Sequence, residues 1–467
     1  MTDAQTLLAR ISAFRDRLQP LPGGSNVSGA ELAADPATLN LALRTVAPVA
    51  TTSTAPPLTA RARRLLEDAR GLIARQRELA GSPHLVSNPR PPQTAGGPPP
   101  KTLSDYHKAT VAMIDAAMGV VQSLPHAAEG QLRLCAGLEV IFSGVRSRQD
   151  ALDAALDRRG RVAARTNTLA RKLADVAAYR LVDTEGFTDL AHDLLDEARQ
   201  GMPLSFAPVN AGQSVAHAVA AHALAVAAVV ARVAPHDFEW ADQAEVAVAA
   251  ALVMDVGMLS VPEDVYFASG DLDAAQRREL EGHTVTGSRL LARLYGDDSV
   301  IPVAAATHHE RPDGTGYPAG RLDDGVPTLA KILNACDTYA TLRTDRPGRP
   351  ARDARMALME TLASAELGAH DRESAELLTN LGVYPVGTAV ELSDGRVAVV
   401  AANHPHRANV RAASRPVLAI VTDADGRPLP HSEFLDLAAT DRGSVARCLT
   451  RRATADLLAA DFPEYAD

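Results

Sequence analysis

The chain has 467 residues and a formal net charge of −10 at pH 7, long enough for roughly two to four domains. Hydrophobic residues make up 46% and aromatics only 4%, a balance that favours a globular, helix-rich protein over a large β architecture. The acidic excess argues against a nucleic acid polymer or an anionic membrane as a general partner. Cys135, Cys336 and Cys448 are scattered without metal-ligand spacing, as expected in a reducing compartment with no disulfide framework. The opening Met1-Thr2-Asp3-Ala4-Gln5 lacks the basic and apolar segments of a leader. The apolar runs at 226–230 and 246–253 fall far below the ~20 residues that span a bilayer. A cytoplasmic protein with no membrane partner is the expectation.

In chain order, residues 1–81 read as a helical N-terminal region. Leu7, Leu8, Ile11, Phe14 and Leu18 predict one amphipathic helix, ended by Pro20-Leu21-Pro22-Gly23-Gly24. Leu65, Leu66, Leu72 and Ile73 predict another over 58–80. Residues 82–102, with Pro89, Pro91, Pro92, Gly96, Gly97 and Pro98 to Pro100, read as a flexible linker. Ser104-Asp105 offers an N-cap to a helical connecting region, 103–204. Helical pattern runs through Ile114 and Met118 to Val121 and resumes after Pro125 near Gly130, with an apolar stripe from Leu132 to Val176 in which Gly137, Gly144 and Gly160 argue against one unbroken rod. Two readings stay open there: a signalling or dimerisation helix, giving a homodimer through 103–204, or a hairpin packed on the next domain. Residues 205–378 are the most helical part. From 379 the pattern predicts a small β-rich module with a terminal helix. Strands are expected over 386–392 and 396–401 around the turn Ser393-Asp394-Gly395, and over 416–421 before Asp423-Ala424-Asp425-Gly426, with helix again over 444–460.

The densest chemistry lies at 308–318: His308-His309-Glu310-Arg311-Pro312-Asp313-Gly314-Thr315-Gly316-Tyr317-Pro318. Neighbouring residues on a helix point about 100° apart, so two consecutive imidazoles share a pocket only where it wraps around the helix, usually near its end. The glycines allow a tight loop to lie close by, and neutral imidazole is the commonest transition-metal donor. From the dipeptide alone, an exposed helix end followed by a surface loop is the favoured reading.

The whole run resembles the second half-signature of the HD-GYP family, His-His-Glu followed by Asp-Gly-x-Gly-Tyr-Pro. The resemblance implies a mainly α protein whose output domain, 205–378, is an HD-type helical bundle. It also implies a metal-dependent phosphohydrolase that opens cyclic di-GMP or a related cyclic dinucleotide. The family order of ligands can be laid on His222, then Asp255 in Met254-Asp255-Val256-Gly257-Met258, then His283, His308, His309 and Asp337. By that analogy His222, Asp255 and Asp337 hold one ion, and Asp255, His283, His308 and His309 another. Asp255 is then the central catalytic residue, and the cofactor is a divalent metal, iron or manganese, as one or two ions. Arg311, Asp313, Gly314, Gly316, Tyr317 and Pro318 would shape the dinucleotide pocket, with Arg346 and Arg349 contacting phosphate.

Two departures bear on activity. Met254 stands where the family has the doublet His, and Met258 where it has Lys. A thioether is a poor donor to a hard or borderline cation, and a lost Lys removes a point charge for phosphate. The alternative reading is therefore a catalytically inactive sensor or scaffold that binds nucleotide or a diguanylate cyclase partner. Hydrolysis of some other phosphoester is a third reading, disfavoured by the intact Gly-Tyr-Pro run. Ala218 stands where a third-metal Glu would be needed, and His217 is five residues too early for the early His. The literal doublets His192-Asp193, His236-Asp237 and His370-Asp371 lack the surrounding pattern and are read as surface helix or turn.

Overall fold

The computed structural model describes residues 60–86, 103–122, 128–180, 182–207, 213–346, 349–404, 414–440, 443–450 and 453–454. The helix expected near Leu7 to Leu18 and most of the proline-rich linker lie outside them.

Three helices form the first body: α1 (Ala60–Ala80), α2 (Leu103–Gln122) and α3 (Ala128–Ala177). Leu65, Ala69 and Leu72 of α1 share one core with Ile114 and Ala117 of α2 and with Cys135, Leu138, Phe142 and Val145 of α3. A second core joins Leu79, Leu103, Tyr106, Leu152 and Leu156. Leu85 is part of it and lies in a short helix, Pro83–Val86. The described start of the expected linker is thus packed, and α1 is not separate from the helices after the linker. α3 is one continuous helix of 50 residues, about 75 Å long, so the glycines do not break it. Each interior glycine costs a helix only about 1 kcal/mol, and burial along both halves of α3 outweighs that. Its far half, through Leu169, Leu173 and Val176, enters the core of the next body.

That next body holds α4 (Glu185–Arg199), α5 (Val215–Val233), α6 (Ala244–Val253), α7 (Ala274–Glu281), α8 (His283–Tyr295), α9 (Val300–Thr307), α10 (Thr328–Arg343), α11 (Ala354–Glu366) and α12 (Arg372–Glu376). Short polar residues start several of them: Ser214, Asp273, Ser299 and Asp353 each accept a backbone N–H of the first turn. α5 and α6 are alanine- and valine-rich all round because both are central. Val215–His236 and Ala241–Ser260 are long and apolar enough to cross a bilayer, but 83% and 67% of their most apolar 18-residue stretches is buried inside the protein. The apolar runs are therefore longer than the sequence reading allowed, and they serve as core.

The C-terminal body is an antiparallel sheet in the order β4-β3-β2-β1-β5, from β1 (Ala389–Leu392), β2 (Val397–Ala402), β3 (Val417–Thr422), β4 (Pro428–Asp436) and β5 (Val445–Cys448). The first three strands and both turns match the expectation. Residues 445–448 do not: they pair with β1 through Val390↔Cys448 and Glu391↔Arg447 instead of forming helix.

Two backbone features position the segments that carry the candidate ligands. α6 ends at Val253, and a 3-10 turn, Val256–Ser260, comes after Asp255. There Gly257 crosses the first turn of α8 with no room to spare. A Cβ on Gly257 would lie 2.0 Å from the His283 carbonyl oxygen and 2.6 Å from the Gly287 amide nitrogen. The second feature is His370. His192 is exposed and pairs with Glu245, and His236 is exposed in a 3-10 turn, as expected of doublets outside the ligand pattern. His370 instead is buried. Its Nδ1 meets the Asn334 side-chain oxygen, and the Asn334 amide donates to the His308 carbonyl at 2.6 Å. The reading of His370 as a surface residue is corrected: it braces the helix end that carries His308.

Gly257→Ala should destabilise this body by about 1–3 kcal/mol, the usual cost of forcing atoms into a filled contact; an unchanged denaturation midpoint would contradict the crossing. Burial, then the charge of Arg311, lowers His370 from 6.5 to about 4. The unfolded chain takes up this proton near pH 6.5 and the folded chain only near 4. Stability from neutral His370 is therefore full above about pH 6.5 and lost as pH falls towards about 4, in all on the order of 3 kcal/mol. Unfolding free energies from pH 7 to 4 should fall less steeply in His370→Gln than in the wild type; parallel profiles would contradict this.

Candidate metal centre

Six side chains from five places in the chain converge. His222 lies on α5, Asp255 at the break after α6, His283 at the first residue of α8, His308 and His309 just past α9, and Asp337 on α10. The donor atoms fall into two groups, each with its members within 4.8 Å of one another: Asp255, His283, His308 and His309, and His222, Asp255 and Asp337. Asp255 is common to both. These are the residues the sequence reading placed in two half-sites.

The tautomers follow from the backbone. His283 Nδ1 is 2.6 Å from the Leu280 carbonyl and His308 Nδ1 is 2.9 Å from the Ala305 carbonyl. A carbonyl only accepts, so each Nδ1 carries the proton and each Nε2 offers a lone pair. Both Nε2 atoms lie 3.4 Å from Asp255 Oδ1. All three atoms are buried without a hydrogen-bond partner. Three acceptors facing one another with no donor between them are an arrangement that only a cation or added protons relieve. The residues present therefore fit a divalent metal. A carbonyl holding the far ring nitrogen is also the usual support of a ligating histidine.

Without an ion, added protons take its place: burial would raise the Asp255 carboxyl, but His283 and His308, donating to it, hold it well below the usual carboxylate range, and Asp255 in turn raises His308 against its burial. Asp337 is lowered to about 2 against its burial by His222, whose Nε2 is 2.7 Å from Asp337 Oδ1. Burial, and then repulsion from His308 and His283, push His309 well below its ordinary value. Carboxylates and a neutral imidazole are the forms that ligate. His217 is held elsewhere, by Ser214 and Asn167, so His222 is the histidine of α5 that reaches the cluster. Met254 is 1% exposed and part of the apolar core, with Met258 packed against it.

The loop after His309 folds back onto the cluster. Tyr317 N–H donates to the His309 carbonyl at 3.1 Å, and the two rings lie 4.8 Å apart. Gly316 is required by this return, since a Cβ there would lie 2.3 Å from the Arg311 amide nitrogen. Gly314 turns the chain at φ +77°, and Pro318 follows Tyr317 at the exposed rim. Asp313 is engaged by the Thr315 amide and hydroxyl at 2.9 and 2.7 Å, which makes it a turn former. Arg311 and Arg349 are exposed and Arg346 is partly buried. Arg346 and Arg349 exchange backbone hydrogen bonds, and Arg346 Nε is buried without a partner.

The sequence reading missed the role of Glu310. It is buried and its two oxygens accept the Ala319 and Arg321 amides, both at 2.8 Å, closing the loop. It also missed Tyr266, whose hydroxyl burial pushes up to about 12 and which feels the charges of Arg346, Asp255 and Asp337. The His-His-Glu triplet was the available signal for Glu310. None existed for Tyr266, which meets the site only through space.

Known proteins resemble parts of the chain. The model of the HD domain matches residues 210–384, and the model of the KOW domain associated with the HD domain matches 389–457. A cyclic di-GMP phosphodiesterase, PA4108 of Pseudomonas aeruginosa, is 29% identical over 157 residues, 33% of this chain and 37% of that protein. The 3'3'-cGAMP-specific phosphodiesterase 2 of Vibrio cholerae is 29% identical over 178 residues, 37% of this chain and 33% of that protein. The matched segment thus spans about a third of the length of these curated relatives. A solved HD-GYP-type protein of Bdellovibrio bacteriovorus, Bd1817, aligns over 55% of this chain and 81% of its own at 13% identity, with a TM-score of 0.36. The chain carries an HD domain over 210–384, followed by the KOW domain associated with it over 389–457.

Proposed function

We propose that the chain is a phosphodiesterase that uses divalent metal to open cyclic di-GMP or a related cyclic dinucleotide. The observation that carries this reading is the trio of buried, unpartnered acceptors, Asp255 Oδ1, His283 Nε2 and His308 Nε2, lying under the Gly-Tyr-Pro loop. Mixed imidazole and carboxylate donors suit iron or manganese. When bound, such ions supply Lewis acidity to phosphate oxygens and lower the pKa of water. Asp255, ionised and common to both donor groups, would hold both ions. His283, His308 and His309 complete one side and His222 and Asp337 the other. Tyr317, laid along His309, walls the site and offers a face to a base. Arg346, with an unpartnered Nε, would bind phosphate, with Arg311 and Arg349 at the rim. The similar proteins named as acting on cyclic di-GMP or 3'3'-cGAMP support the substrate class.

One observation favours a second reading. Met254, in place of the family's doublet His, is sealed in the apolar core, which leaves the His222 side with three donors. A chain that binds one ion or a nucleotide without cleaving it would serve as a sensor, or as a scaffold for a diguanylate cyclase domain.

Supplied anaerobically with Fe(II) or Mn(II), the wild type should linearise cyclic di-GMP or 3'3'-cGAMP. Asp255→Ala should lose at least about 100-fold, since even an outer-shell partner is worth 10–100-fold. No linear product with either metal would sink the enzymatic reading. Turnover appearing only in Met254→His/Met258→Lys would favour the scaffold.

A further inference from the structure

On the side of α10 away from the metal cluster, a pocket opens between the HD domain and the sheet. Its walls include Phe206, Tyr339, Arg343, Pro385, Thr388 and Leu449. Asp337 and Tyr339 are two residues apart on α10, and Asp337 and Arg343 six, so both pocket residues point well away from Asp337 at about 100° per residue.

Two side chains with unused donor capacity line this pocket. Tyr339 is fully buried and its hydroxyl has no hydrogen bond. Arg343 gives one N–H to the Arg352 carbonyl at 2.7 Å and lies over the Phe206 ring at 5.1 Å. Its Nε is buried and unpartnered. Among the described residues no carboxylate lies within 4.0 Å of this guanidinium. The nearby Asp353 carboxylate instead caps α11 through the Met356 amide at 2.8 Å. Burial pushes the Tyr339 phenol up to about 12, against the pull of the Arg343 charge and of the guanidinium beside its oxygen, so its hydroxyl keeps its proton and is left to donate. A partly buried, unpaired guanidinium next to an unsatisfied hydroxyl is unfavourable unless an acceptor completes both. The remaining lining, Pro203, Leu204, Phe206 and Pro385, is apolar and suits a short carbon body behind an anionic head.

We propose that this interdomain pocket binds a small organic or inorganic anion, a carboxylate or a phosphate, held by Arg343 and the Tyr339 hydroxyl. The anion sits between α10 and the segment from Pro385 to Ala389 that leads into β1, and ties the KOW domain to the HD domain. This site is independent of the reaction proposed for the metal centre and stands or falls without it.

Benzoate and inorganic phosphate, each titrated calorimetrically into the full chain, test the site and separate the two head groups. At least one should bind saturably at one per chain and raise the unfolding temperature. Arg343→Met and Tyr339→Phe should each weaken that binding about tenfold, the worth of one charge-assisted hydrogen bond. Tyr339→Phe removes only one oxygen and decides the matter if Arg343→Met does not fold. Absence of saturable binding by both anions, or binding that survives unchanged in the variants that fold, would overturn the proposal.

Discussion

The Asp255 carboxylate is the charge on which the arrangement of this domain depends. It is buried, has two imidazole Nε2 atoms 3.4 Å from Oδ1, and has a third imidazole, His222, 3.8 Å from its other oxygen. Among the described residues Oδ1 has no partner in hydrogen-bond geometry. A buried carboxylate is strongly disfavoured without compensation, so the elements around it make sense as a device for concentrating donors on one cation site. α6 stops at Val253, which lets Asp255 turn inward. α8 begins on its own ligand, and α9 ends at its pair.

That geometry is held by contacts that carry no metal chemistry of their own. Gly257 lets the turn after Asp255 touch the backbone of α8, so Asp255 and His283 keep a fixed separation. His370 and Asn334 hold the carbonyl of His308. Glu310 pins the loop that returns Tyr317 over His309. The alanine- and valine-rich α5 and α6 are packed on all sides, which gives the ligand-bearing segments a rigid base. Rigidity matters because a metal site tolerates donor errors of only a few tenths of an ångström.

Much of this was legible in the sequence because ligand order along the chain is a one-dimensional property. His222, Asp255, His283, His308, His309 and Asp337 could be placed from the family pattern, and the structure brings all six together. The first three strands were legible from alternation and from the turns at Gly395 and Gly426. The features that escaped were decided through space. Residues 445–448 form a strand because β1 offers an edge some fifty residues away, and local propensity is overridden by such pairing. Gly144 and Gly160 lie inside α3, whose burial against two bodies keeps it continuous. His370 has ordinary sequence neighbours; its meaning comes from Asn334, 36 positions earlier. The Asp313 carboxylate sits in a run expected to meet substrate, but its own turn uses it.

Metal content per chain tests the central claim most directly. After anaerobic reconstitution with Fe(II) or Mn(II) and desalting, elemental analysis should find at least one equivalent on the wild-type chain. Asp255→Asn should retain less than about a tenth of that, since losing the shared ligand exceeds an outer-shell loss of 10–100-fold. A wild-type chain that stays metal-free, or an Asp255→Asn chain that keeps its full complement, would contradict a metal centre built on Asp255.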